Sequence, residues 1–121
     1  MKTIRVLSVG KMELLSGRSR ALMEAGFSVF STDDPDQAIA VCQPEEFDLA
    51  VVGHLLTNGD KQRLVRHFRE KCRVPVLLVV QGPFLTTLRA DAYLPADTPI
   101  GELVRKARQL TAHTANTRTA G

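Results

Sequence analysis

The chain has 121 residues, 44% hydrophobic and 24% charged, which suits one soluble globular domain with a sizeable core. Sixteen Lys and Arg against 13 Asp and Glu leave a net charge of +3, too small a surplus to argue for a nucleic-acid partner. No apolar run nears the roughly 18 residues needed to span a bilayer, residues 1–5 hold no signal-peptide core, and Cys42 and Cys72 lack metal-ligand spacing, so a membrane role is excluded and a reducing cytoplasm is expected.

Residues 3–9 are apolar and rich in β-branched side chains, and they predict a first strand ended by Gly10. Residues 12–25 carry an apolar helical stripe of Leu15, Leu22 and Ala25, flanked by Leu14, Ala21 and Met23, and stop at Gly26. Residues 27–30 predict a half-buried second strand. The pair Asp33-Asp34 before Pro35 is a helix-start signal, and the second helix carries Ala38, Ile39, Val41 and Cys42 as far as Pro44.

The third strand opens at Phe47-Asp48. From Leu49 to Val52 it has no polar interruption, as a central parallel strand covered on both faces requires, and it ends at Gly53-His54. Residues 57–60 predict a turn and cap, with Asp60 among the helix-capping carboxylates. The third helix spans about residues 61–72 and shows Leu64, Val65, Phe68 and Cys72 on one face. Residues 74–80 form the most apolar segment and the fourth strand. Gly82-Pro83 breaks it, and residues 84–90 leave room for two helical turns at most. Ala92-Tyr93-Leu94 is a short fifth strand. Asp97 or Thr98 caps the last helix, whose core face is Leu103, Val104, Ala107 and Leu110. The domain is read as residues 1–110, followed by a polar, aperiodic tail over 111–121 expected to be disordered.

Strands alternating with helices predict a flavodoxin-like α/β fold: a three-layer α/β/α sandwich around a five-stranded parallel sheet of order 2-1-3-4-5. Its switch point lies between the first and third strands, so ligands belong at Gly10-Lys11 and Gly53-His54.

Several fragments in this order resemble the receiver domain of bacterial response regulators. They are Ala25-Gly26-Phe27-Ser28-Val29 into the second strand, Phe47-Asp48-Leu49 into the third, Val74-Pro75-Val76 into the fourth, and Ala90-Asp91-Ala92-Tyr93-Leu94 followed by Glu102-Leu103. The resemblance implies a phosphoacceptor aspartate at the end of the third strand and acids after the first that help hold Mg²⁺. It also implies a hydroxyl at the end of the fourth strand and a lysine after the fifth. Counting along the fragments, these positions hold Gly53, Gly10 with Lys11, Val80 and Ala96, and only the switch aromatic remains, as Tyr93. A degenerate receiver is therefore expected, with no Mg²⁺, no other metal and no catalytic residues. The family's helix between the fourth and fifth strands is expected to be shortened.

Two other features have functional readings. Gly10, Gly53 and His54 form a candidate ligand crevice, where a small ligand or an anion could approach the backbone; ordinary strand ends and a loop histidine are the plainer account. Residues 61–73 hold six basic side chains against Glu70 alone, so Lys61, Arg63, Arg66, Arg69 and Arg73 are a candidate partner surface. An ordinary solvated face is the plainer account; as a binding surface they suit an acidic protein better than nucleic acid, since no exposed aromatic accompanies them.

The functional expectation is an atypical, stand-alone receiver domain in bacterial phosphorelay signalling. It is not an enzyme, is not phosphorylated on aspartate, and acts by contact with a kinase, an output protein or another signalling component, homodimerisation being left open. The alternative is a sensor of small ligands or anions at the crevice.

Overall fold

Each apolar run becomes a strand, and hydrogen-bond register sets where the strand ends fall. The computed structural model describes residues 3–81 and 88–120, with side chains of the last helix described through Ala112. The strands are β1 (Arg5–Val9), β2 (Ser28–Thr32), β3 (Leu49–Val52), β4 (Val76–Val80) and β5 (Ala92–Pro95). The described helices are α1 (Met12–Glu24), α2 (Pro35–Val41), α3 (Asn58–Glu70) and α4 (Ile100–Ala120). All neighbouring strands pair in parallel, in the expected order β2-β1-β3-β4-β5.

Two apolar layers sandwich the sheet. Leu7, Val9, Ala50, Val52, Val76 and Leu78 pack under α2 and α3 with Ala38, Leu64 and Phe68. Val6, Leu49, Val51, Leu77 and Val79 pack on the other face with Leu22 of α1 and Leu103 and Ala107 of α4. All four residues of β3 are buried, which explains its lack of alternation. The edge strand β2 is less covered than its sequence suggests. Phe30 is exposed and only Thr32 is buried, because β1 borders one side alone.

Local sequence sets the helix ends. Gly26 takes φ +100° after α1, where its N–H donates to Met23 O and that of Phe27 to Leu22 O, a Schellman closure that glycine permits. Asp34, not Asp33, caps α2 by accepting from the Asp36 N–H, with Pro35 opening the helix. The α3 helix starts three residues before its predicted position because Thr57 is its cap, accepting from the Asp60 N–H. Asp60 is therefore a first-turn residue and not the cap.

In α4 the helix continues past residue 110. Thr111 lies one turn beyond Ala107 on the apolar stripe, is buried, and satisfies its hydroxyl on Ala107 O. The backbone is helical through Ala120, so the boundary read from sequence at 110 falls inside this helix. Between β4 and β5, Gln81 and residues 88–91 belong to no helix; the remainder of the predicted shortened segment, 82–87, lies outside the described residues.

Candidate functional site

Register brings the two candidate glycines together. Val9 pairs with Thr32 on one side and Val52 on the other, so β1 and β3 end level. Gly10 and Gly53 then leave the sheet side by side, with the Gly53 N–H donating to Val9 O at 2.8 Å. Neither has a positive φ, so backbone freedom does not explain the glycines. Close approach does: a β-carbon on Gly53 would stand 3.2 Å from both Gly10 Cα and Val9 O.

The space above them holds a side chain from elsewhere. Arg18 lies on the buried stripe of α1 with Leu15, Ser19 and Leu22. Helical side chains lean toward the helix N-terminus, and α1 begins two residues after Gly10 at this edge of the sheet. The Arg18 guanidinium therefore reaches back over the switch point. Its Nη1 lies 2.9 Å from where a Gly53 β-carbon would be and 3.4 Å from that of Gly10. Arg18 is only 8% exposed, and Nη1 is buried with no hydrogen-bond partner among the described residues. Nη2 stands 3.4 Å from His54 Nδ1.

The crevice is cationic. Burial pulls the Arg18 pKa down. The His54 pKa is lowered by its partial burial, then by the charges of Arg18 and Lys61. Lys61 is itself lowered by burial. Lys61 is thus half-buried, unlike the exposed Arg66 of the same helix. Lys11 is exposed and precedes α1 without capping it. Among the described residues no three His, Cys, Asp or Glu side chains gather to hold a metal ion.

Val80 and Ala96 sit beside one another at the ends of β4 and β5, joined by the Ala96 N–H to Val80 O at 2.6 Å. Tyr93 is exposed; its hydroxyl donates to Leu88 O at 2.6 Å and accepts from the Ala90 N–H at 3.0 Å. That ties the aromatic to the segment before β5.

The basic face of α3 is partly neutralised. Arg63 bonds Asp36 at 2.6 Å and Asp60 at 3.3 Å, Arg66 pairs with Glu70, and Arg69 reaches Asp91 and the carbonyl of Arg89. Arg73 is exposed beyond the helix, with φ 54°. Arg63, Arg66, Arg69 and Arg89 also line an open groove of about 930 Å³ floored by Ile39, Val65 and Leu88.

Sequence reasoning missed Arg18, although the signal was present. It falls three residues after Leu15 and four before Leu22, a basic residue on the apolar stripe of a helix. Two aspartates at the opposite sheet edge were also underrated. Asp48 takes the Arg5 N–H on its carboxylate at 2.9 Å and donates its own N–H to Arg5 O; Asp91 does the same with Val76. Each sits just before a strand and fixes it against its neighbour. No described helix is long and apolar enough to cross a membrane.

The chain matches no protein-family model and no curated protein sequence. Solved structures match throughout its length. A CheY-like response regulator receiver domain protein from Methanospirillum hungatei is 17% identical with a TM-score of 0.80, covering 96% of this chain and 99% of its own. The receiver domain of the sensor histidine kinase PA1611 from Pseudomonas aeruginosa, solved with a magnesium ion in its active-site cleft, is 18% identical at TM-score 0.79, with 92% and 99% covered. HP1043, an orphan response regulator of H. pylori, is 22% identical at TM-score 0.72, with 89% and 96% covered. With its five parallel strands in the order 2-1-3-4-5, the chain has the flavodoxin-like fold of CheY-like receiver domains.

Proposed function

We propose that this chain is a receiver-like module of bacterial two-component signalling that works by protein contact, without aspartyl phosphorylation at the β3 end and without Mg²⁺. One observation supports this reading above the others. The position at the end of β3 is Gly53, and the volume beside it holds the Arg18 guanidinium. A cation there repels a divalent metal, and a glycine offers no carboxylate to accept a phosphoryl group. Gly10, Lys11, Val80 and Ala96 supply neither the acids, the hydroxyl nor the lysine that such chemistry uses, and Tyr93 is held by local backbone rather than by a phosphoryl-linked partner.

Without a phosphoryl switch, output rests on a surface that binds a partner directly. The α3 face with Arg63, Arg66 and Arg69 is the proposed contact for an acidic protein, such as a kinase or an output component. Its existing ion pairs are exposed and exchange readily for a partner's carboxylates.

Incubation with acetyl phosphate and Mg²⁺, followed by intact mass measurement, tests the first part. No base-labile phosphoryl increment is expected, and a stoichiometric one overturns the reading. For the second part, alanine at Arg63, Arg66 and Arg69 is expected to weaken capture of a cognate histidine kinase or output protein at an unchanged melting temperature. Undiminished capture counts against that face.

A further inference from the structure

Among the described residues, Arg18 is a charge without a counter-charge. The residue is more than nine-tenths buried, Nη1 has no partner among the described residues, and Nη2 stands 3.4 Å from the ring of His54. Buried charges in folded proteins are paired or bound to a ligand, because an isolated one is strongly disfavoured. Among the described residues Arg18 forms no ion pair with a carboxylate. His54 after β3 touches the guanidinium, the charge of Lys61 from α3 acts on the His54 ring, and the acid of the α1 first turn, Glu13, is exposed. The N-terminus of the 13-residue helix α1 opens at the same place, and no side chain caps it. A helix N-terminus and a buried guanidinium beside paired glycines, with the His54 imidazole against them, make one continuous surface for negative charge.

We propose that this crevice binds a small oxyanion, of the phosphate or carboxylate class, held without metal by the Arg18 guanidinium and the α1 N-terminus, with His54 at its rim. A guanidinium presents two parallel N–H groups to either anion, which an ammonium cannot do. Gly10 and Gly53 leave the volume in which the Arg18 guanidinium lies against the strand ends. The half-exposed His54 ring stands 3.4 Å from Nη2, so an anion bound to the guanidinium meets that ring. The ligand binds reversibly and no bond to the protein is made. The proposal therefore goes beyond the reading above and stands apart from it, since a chain can bind a free anion whether or not it docks a partner.

The test uses the whole chain in EDTA, with inorganic phosphate, sulfate, acetate or chloride at one ionic strength. Melting temperature and titration calorimetry are the readouts, and EDTA excludes any metal-dependent route. Phosphate with sulfate, or acetate, is expected to raise the melting temperature saturably while chloride does not, and the responding arm names the class. Arg18→Met is expected to weaken that binding by about ten- to hundredfold. Should Arg18→Met fail to fold, Arg18→Lys keeps the charge but loses the fork, and about tenfold weaker binding is expected. No oxyanion surpassing chloride, or the same affinity in wild type and the Arg18 variant, overturns the proposal.

Discussion

The Arg18 guanidinium and Gly53 share one site: Nη1 lies 2.9 Å from the position a Gly53 β-carbon would take. Two residues 35 positions apart are thus coupled through volume, the long side chain from α1 fitting because the strand end has none. Backbone stands on the remaining sides of that β-carbon, at 3.2 Å from Gly10 Cα and from Val9 O. Gly53→Ala is accordingly expected to lower stability by about 1–3 kcal/mol in urea denaturation. Adding Arg18→Ala should recover only part of the loss, since the backbone contacts persist. Full recovery in the double-mutant cycle would show that Arg18 alone had been displaced.

Arg18 itself should be replaceable in the free protein. An apolar chain of similar length removes a buried unpaired charge and keeps the contacts of its stem, a change that is commonly neutral or stabilising. Arg18→Met is expected to unfold at the same or higher denaturant concentration than wild type in a chloride buffer, by up to about 1–4 kcal/mol. A clear loss would mean that the His54 contact or unseen solvation outweighs the burial of the charge.

The fold was legible because each level of the sequence agreed with the next. β-branched runs, a glycine after α1, Asp34-Pro35 before α2 and an uninterrupted β3 all pointed to one parallel sheet. The crevice was legible only as a place. Topology puts Gly10 and Gly53 at the switch point, but strand spacing says nothing about which helix residue reaches over them. Arg18 could be found only by treating a basic residue at helical spacing between Leu15 and Leu22 as buried, against the usual preference of arginine for solvent. The basic helix misled in the other direction. Counting charges along residues 61–73 omits Asp36, Asp60 and Asp91, which come from other turns or elements to pair with its arginines.

Asp48 and Asp91 hold the opposite edge of the sheet. Each carboxylate accepts the N–H of a residue on the adjacent chain segment, Arg5 and Val76, at 2.9 and 2.7 Å. A charged acceptor for a partly buried N–H contributes roughly 1.5–3 kcal/mol, and truncation leaves that donor unsatisfied. Asp48→Ala and Asp91→Ala are each expected to lose about that much, Asp48 at the upper end because it is only 3% exposed. Asparagine keeps an acceptor oxygen and should lose less. Equal losses for alanine and asparagine would place the effect on charge rather than on the bond.

His54 gives the crevice a pH signature whose sign is fixed by its neighbours. Partial burial, Arg18 from α1 and Lys61 from α3 all hold its folded pKa below the unfolded value near 6.5. Below that value the unfolded chain takes up the proton more readily than the folded one, so stability is full above about pH 6.5 and falls as pH drops toward the folded pKa. His54→Gln removes that titration and should flatten this part of the pH–stability curve relative to wild type. A bound oxyanion acts in the opposite direction. Negative charge beside the ring favours the imidazolium, so phosphate or acetate, whichever binds, should raise the His54 pKa in an NMR titration and shallow the wild-type slope. Two identical slopes, with and without a binding anion, would mean that the anion sits away from His54.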